Sequence, residues 1–179
     1  MTLIEMITTL AILGIVLSGI VAVFSSGLHA EVDMDQRFQS QQNARLALVG
    51  IRSDTRAACL APQIGGSGAS VTLSYGCSSG VASSWVTWCS SASSGTAPFG
   101  LYRQTGQTCA YNNGTKRADA LTCAAAGGSC AAVFSYSAVS GTRPQLQVTL
   151  PIDANLTNGA VGAYTLTDTI TLRNAPVTP

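Results

Sequence analysis

Met1-Thr2-Leu3-Ile4-Glu5-Met6, followed by Ile7-Thr8-Thr9-Leu10-Ala11-Ile12-Leu13-Gly14-Ile15-Val16-Leu17 and on to Ala30, is the stretch on which the fold turns. From Met6 to Ala30 it holds no acidic or basic residue except His29, and Glu5 stands at its head. About 20 residues at ~1.5 Å rise cross a ~30 Å hydrocarbon core, so residues 3–28 are long enough to span a bilayer as a helix. A carboxylate in that layer costs roughly 2.5 kcal/mol or more, which makes Glu5 a functional residue in need of a cationic partner. The nearest candidate is an amino terminus, that of Met1. A secretory signal would open with basic residues, whereas the first basic residue here is Arg37. A plain single-pass anchor would have no use for Glu5, and no Lys or Arg precedes the span to orient it.

Small residues recur at every fourth position, at Gly14, Ser18, Ala22, Ser26 and Ala30. Such spacing lets a second helix backbone come close, which is how helices associate where lipid and neighbour are equally apolar. Gly14, Gly19 and Gly27 each weaken the helix by up to ~1 kcal/mol relative to Ala, so local stretching is expected to centre on Gly19. Beyond residue 30 the helical pattern continues without a breaker to about residue 59. Ala44, Ala47, Leu48, Ile51, Thr55 and Ala58 share one face, and Arg45, Arg52 and Arg56 share an adjacent one. The first set should cover a domain core and leave the arginines to solvent or to neighbours. Upstream, Glu31, Asp33 and Asp35 form an acidic patch roughly 20 to 30 Å along the axis from the arginines, so staggered copies would set acid beside base.

The segment from residue 60 to residue 179 changes character. It is rich in Ser, Thr, Gly and Ala, and it holds Cys59, Cys77, Cys89, Cys109, Cys123 and Cys130 at or beyond its edge. The lone histidine and the lack of a Cys-x-x-Cys pair argue against structural zinc, so no metal is expected. An even cysteine count after a membrane-type helix reads as disulfides in an oxidising compartment, each contributing about 2–4 kcal/mol. Fifteen pairings are open to six cysteines. Residues 62–99 read as a loop-rich stretch with short β-like runs at Val71–Tyr75 and Trp85–Cys89, and residues 99–111 as a hairpin turning at Gln104-Thr105-Gly106-Gln107. Leu146, Val148, Leu150 and Ile152 alternate with polar residues, as do Tyr164, Leu166, Ile170 and Leu172 with a run of threonines, so each strand has one wet face. An antiparallel sheet on the apolar face of the helix follows, in an α+β class. Three parts result: a hydrophobic helix over 1–30, its amphipathic continuation over 31–59 and a disulfide-stapled β-rich domain over 60–179.

The opening Met1-Thr2-Leu3-Ile4-Glu5-Met6 and the apolar run behind it resemble the mature amino-terminal segment of type IV pilins and pseudopilins. Residues 41–54, Gln41-Gln42-Asn43-Ala44-Arg45-Leu46-Ala47-Leu48 with Ile51-Arg52-Ser53-Asp54, and the closing Thr171-Leu172-Arg173-Asn174 resemble minor pilins and J-type pseudopilins. The likeness covers about residues 1–58, and 131–174 loosely. It implies the type IV pilin fold, with the hydrophobic half of the helix protruding. It also implies a basic leader removed before residue 1 by a prepilin peptidase that methylates the amine of Met1, an inner-membrane subunit before assembly, and an extracellular filament after it. The implied partners are other copies of the chain and other pilins, an assembly ATPase and a membrane platform. Many pilins carry a proline near residue 22, and this chain has Ala22. A pilus subunit serving adhesion, twitching or DNA uptake, a minor pseudopilin of a type II secretion system, and a single-pass surface binding protein are the three readings the residues allow.

Other functions find little footing. A net charge of +1 with 9% charged residues offers no basic stripe for a phosphate backbone, so stable nucleic-acid binding is not expected. No phosphate-binding Gly loop, His-Glu-x-x-His or Gly-x-Ser-x-Gly occurs, and neither an enzyme nor a cofactor is indicated. Asp119, Asp153 and Asp168 lack the spacing of a calcium loop. Asn113-Gly114-Thr115 and Asn155-Leu156-Thr157 match the glycosylation sequon.

Overall fold

The computed structural model describes residues 2–91, 98–109, 114–123, 125–126, 129–153 and 164–177. Met1 and the asparagines of both sequons lie outside them. One helix, α1 (Leu3–Ala57), runs 55 residues without interruption through Gly14, Gly19 and Gly27. Its amino end is a capping box, a Thr-x-x-Glu pattern in which the Thr2 amide donates to Glu5 Oε2 at 3.3 Å. It stops where Ala58 turns extended, four residues before Pro62. The Cys59 amide then donates to the Ser74 carbonyl at 2.9 Å, so the chain passes straight from helix to sheet.

The strands are β1 (Gln63–Gly65), β2 (Ser70–Tyr75), β3 (Ser84–Ser91), β4 (Phe99–Thr105), β5 (Thr115–Leu121), β6 (Ala125–Ala126), β7 (Ser129–Cys130), β8 (Phe134–Ser137), β9 (Gln145–Ile152) and β10 (Tyr164–Thr171). Eight of them form one sheet in the order β1-β2-β3-β4-β5-β9-β10, with β8 also on β9, and every pairing is antiparallel. β6 and β7 pair apart from it. The helix lies across β5, β9 and β10. Its buried residues are Ala44, Ala47, Leu48, Ile51 and Thr55, continued by Ala58, the face marked by the sequence periodicity. Leu146, Val148, Leu150 and Ile152 of β9 meet it from the sheet, with Leu121, Ile170 and Leu172. The fold is thus α+β, a long helix half free and half packed on a curled antiparallel sheet.

The β-like runs expected at Val71–Tyr75 and Trp85–Cys89 are the bodies of β2 and β3, and the stretch read around them as loop also holds the short β1; the three form one end of the sheet. The buried hydroxyls of these strands find protein partners in place of water: Thr72 and Thr87 share a hydroxyl contact at 3.0 Å, and the single Ser90 hydroxyl proton lies within reach of the carbonyls of Ala69 and Cys130. The turn expected at Gln104-Thr105-Gly106-Gln107 does not fold residues 99–109 back on themselves as a hairpin; residues 110 and 111 of that expectation lie outside the described residues. β4 ends at Thr105, its return strand is β5 beginning at Thr115, and Cys109 instead bonds Cys89. The other bridges are Cys59–Cys77 and Cys123–Cys130, so each cysteine joins the next one along the chain.

The helix is held to the sheet at Asp54. Its Oδ2 accepts from Trp88 Nε1 at 2.8 Å and Arg103 Nε at 2.7 Å, its Oδ1 accepts from Arg103 Nη2 at 3.2 Å, and its backbone carbonyl accepts from the Tyr75 hydroxyl at 3.1 Å. The hydrogen bond that Arg103 donates to Asp54 raises the guanidinium above its ordinary value. Burial, then the nearby Asp54 charge, raises the Tyr75 hydroxyl far above its own. Both groups therefore keep their protons and donate. Trp88, 1% exposed, also needs Gly50: a Cβ there would sit 3.1 Å from the indole ring. Gly68, at φ +85°, lets the turn before β2 approach β8 so closely that a Cβ would meet the Phe134 carbonyl at 2.7 Å.

Two measurements test this frame. Chymotryptic mapping without reduction, cutting after Tyr75, Trp85, Trp88 and Phe99, should return the three sequential bridges; any crossed pair refutes the assignment. Asp54→Ala leaves an indole N–H and a guanidinium short of an acceptor, so unfolding of the detergent-solubilised chain should lose about 2–4 kcal/mol, read by tryptophan fluorescence.

Candidate functional site

The first half of α1 touches nothing in the subunit. Leu3 is 81% exposed and Phe24 67%, and Ile4, Ile7, Leu10, Ile12, Leu13, Ile15, Ile20 and Val23 are all open. An 18-residue window of this helix has a mean hydropathy of 2.5 and none of it is buried, so by length and composition it can cross a membrane. Soluble monomers rarely expose more than a few hundred Å² of contiguous apolar surface, so this length of helix calls for lipid or for other helices. The disulfides place the β-rich domain in an oxidising, extracytoplasmic compartment.

Four hydroxyls of the apolar half bond within it. Thr8 donates to the Glu5 carbonyl, Thr9 to those of Glu5 and Met6, Ser18 to Ile15 at 2.8 Å and Ser26 to Val23 at 2.8 Å. These hydroxyls need no water, so the segment suits an environment that offers none. Gly14, Ser18, Ala22, Ser26 and Ala30 are all exposed, and a Cβ built on Gly14, Gly19 or Gly27 meets nothing within 4 Å. Spaced by four, the five follow a ridge inclined to the helix axis, the geometry that seats one helix in the groove of another.

Glu5 is exposed, and its carboxylate turns back to the Thr2 amide. Its first partner is therefore its own helix start, a role legible in the Thr-x-x-Glu pattern. Met1, the expected source of that cation, is outside the described residues. Of the charged residues in the second half, Arg37 pairs with Asp33 one turn away at 2.9 Å. Arg52, expected to face solvent or neighbours, reaches across to Asp168 of β10, with Nη2 at 2.8 Å and Nε at 3.1 Å. Asp168 stands on the core side of β10 between Leu166 and Ile170, and a lone inward acid in an apolar register was the sequence signal for a helix cation above it. Glu31, Asp35, Arg45 and Arg56 remain exposed. Arg56 shares a cleft of about 620 Å³ with Arg173, and Asn174 Nδ2 donates to the Arg56 carbonyl at 3.2 Å.

No family model, curated protein or solved structure matches this chain. What it presents is a pilin-like architecture: an unpartnered apolar half-helix capped by an acid, rooted in a disulfide-stapled sheet.

The capping reading has its own check. Glu5→Ala removes the acceptor of the Thr2 amide, so proton exchange across residues 2–6 in micelles should speed up by a few-fold, corresponding to about 0.5–1 kcal/mol. Glu5→Gln, which can still accept, should keep its protection. Equal exchange in both variants would show that the box is not formed.

Proposed function

We propose that this chain is a pilin, the structural subunit of a type IV pilus-like filament, in which the exposed half of α1 packs with its counterparts and the β-rich domain forms the outer surface. The observation that carries the reading is the pairing of two properties on one helix: residues 3–28 bury nothing in the subunit, while residues 44–58 are the lid of a well-packed core. A helix built only to anchor would need neither the ridge of small residues nor an acid at its head.

Before assembly the subunit stands in the inner membrane, where the helix start shares the burden of the Glu5 charge by donating to it. On docking, Glu5 of the incoming subunit meets the Met1 amine of one already in place, taking residue 1 as the mature terminus that the resemblance implies. Two poorly solvated charges are then neutralised together. N-methylation leaves the amine cationic, so the pairing survives it. Contacts in which one surface meets a different surface on the next copy produce open helical polymers. A prepilin peptidase, an assembly ATPase and a membrane platform complete the pathway, because no part of this reading lets the subunit perform work itself. The resemblance of residues 41–54 and of the closing Leu172-Arg173-Asn174 to minor subunits keeps a type II secretion pseudopilin as the second reading.

Cells that express the chain with its assembly machinery should release long fibres on shearing. Glu5→Ala and Glu5→Gln should both cut their yield by at least about tenfold, equivalent to ~1.4 kcal/mol or more in assembly. Since Gln preserves the cap and removes the charge, normal fibres from Glu5→Gln would overturn the charge pairing. Short or absent wild-type fibres with impaired protein secretion on deletion would favour the pseudopilin.

A further inference from the structure

Among the described residues, ion pairs join Arg37 with Asp33, Arg52 with Asp168, Arg103 with Asp54 and Lys116 with Asp119. On α1 beyond the apolar half, the acids left without an ion pair are Glu31 and Asp35, exposed and one turn apart; Asp35 takes only a hydrogen bond from Gln39, at 2.8 Å. The cations left without one near the helix end are Arg56 and Arg173. These two face the same cleft, between α1 and the segment that follows β10, walled by Val49, Arg52, Ser53 and Asn174. Arg52 is neutralised there by Asp168, so the cleft is cationic through Arg56 and Arg173.

We propose that this cleft is the docking site for the acidic turn Glu31–Asp35 of a second copy of the chain, and that it sets the axial stagger of the filament. The inference rests on the filament reading above. Charge complementarity names the occupant: two carboxylates one turn apart meet two guanidiniums, and both sites lie on surfaces that the subunit leaves open. The flanking side chains agree, since Val32 and Met34 are exposed beside the acids and Val49 is exposed in the wall of the cleft. A lipid headgroup is out of reach. Along the helix, Arg56 lies about 42 Å beyond Leu28, where the apolar segment ends. Glu31 and Asp35 stand 25 and 21 residues before Arg56, so the two copies that meet at this cleft should be offset by about 30–40 Å; they are a different pair of neighbours from the one joined by Glu5 and the Met1 amine, whose offset is about 6 Å. Arg52 leaves the set of register charges that the sequence indicated, and Arg173 joins it.

The test is charge reversal in the full chain, in cells that assemble it. Arg56→Glu with Arg173→Glu should lower the yield of sheared filaments by about tenfold or more, because like charges are then set together. Glu31→Arg with Asp35→Arg should do the same, and all four changes combined should restore filaments to within about threefold of wild type. A readout independent of charge guards against misfolding: Asp35→Cys with Arg173→Cys in one chain should give a ladder of disulfide-linked multimers from sheared fibres. Within one subunit those positions are tens of Å apart, so the bond can form only between copies. Normal filaments from Arg56→Glu/Arg173→Glu with no ladder overturn the cleft assignment and leave the filament reading standing. Loss without rescue and without a ladder also overturns it, and gives the cleft to another partner. Absence of filaments from the wild-type chain removes both.

Discussion

An apolar helical surface that its own subunit cannot cover governs the rest of this structure. Residues 3–28 extend for roughly 40 Å, and full burial of each Leu, Ile, Val or Phe side chain is worth about 1.5–3 kcal/mol. With more than a dozen such side chains exposed, the demand for an apolar surrounding exceeds the whole stability of a typical domain, ~5–15 kcal/mol. The β-rich domain must therefore grip the helix without covering that part. It does so over residues 44–58 alone, by an apolar face and by Asp54. The three bridges reinforce a sheet whose Ser- and Thr-rich half has modest apolar surface to bury.

The same constraint explains how polar chemistry is distributed. In the exposed half, the hydroxyls of Thr8, Thr9, Ser18 and Ser26 bond backward to carbonyls of their own helix, and the one acid bonds to the amide of its own cap. In the packed half, charges pair across elements: Asp54 with Arg103 on β4, Arg52 with Asp168 on β10. With side-chain exposures of 16% and 31%, the Asp54–Arg103 pair is sheltered enough to hold the helix in one orientation, unlike surface pairs worth ~0–1 kcal/mol. Beyond the apolar half, the helix charges without an ion pair are Glu31 and Asp35 toward the amino end and Arg45 and Arg56 toward the carboxyl end.

Much of this was legible in the sequence because two periodicities are clean. The spacing of Ala44, Ala47, Leu48, Ile51, Thr55 and Ala58 gave the buried helix face residue for residue, and the alternation through Leu146–Ile152 and Leu166–Leu172 gave β9 and β10. Legibility failed where the physics is non-local. The runs Val71–Tyr75 and Trp85–Cys89 marked β2 and β3, whereas the three-residue β1 is too short to show a period of its own and depends on its pairing with β2. Cysteine spacing carries no pairing information without the turns between. The Asp54 cluster joins residues 54, 75, 88 and 103, and nothing in a linear reading sets Trp88 against Gly50. Arg52 was read as a surface cation because its periodicity placed it beside the core face. That placement was sound, but it could not reveal an acid on β10 within reach.

Glu5 shows how one residue can satisfy two needs in sequence. A carboxylate with no partner would raise the energy of the membrane-held subunit so far that the helix start would be drawn toward water. One already committed to a strong cation would leave nothing for a neighbour to offer. The capping box lies between these extremes. A neutral amide at 3.3 Å is a long, weak donor, and the helix dipole adds about 0.3–1 kcal/mol near the first turn. Such a bond holds the side chain against the helix, pointed toward the chain start, while a charged amine would exceed it readily, since charge-assisted bonds are roughly twice as strong as neutral ones. On the filament reading proposed above, the cap would be a holding position for the carboxylate, one that a cationic amine displaces because it offers the stronger bond.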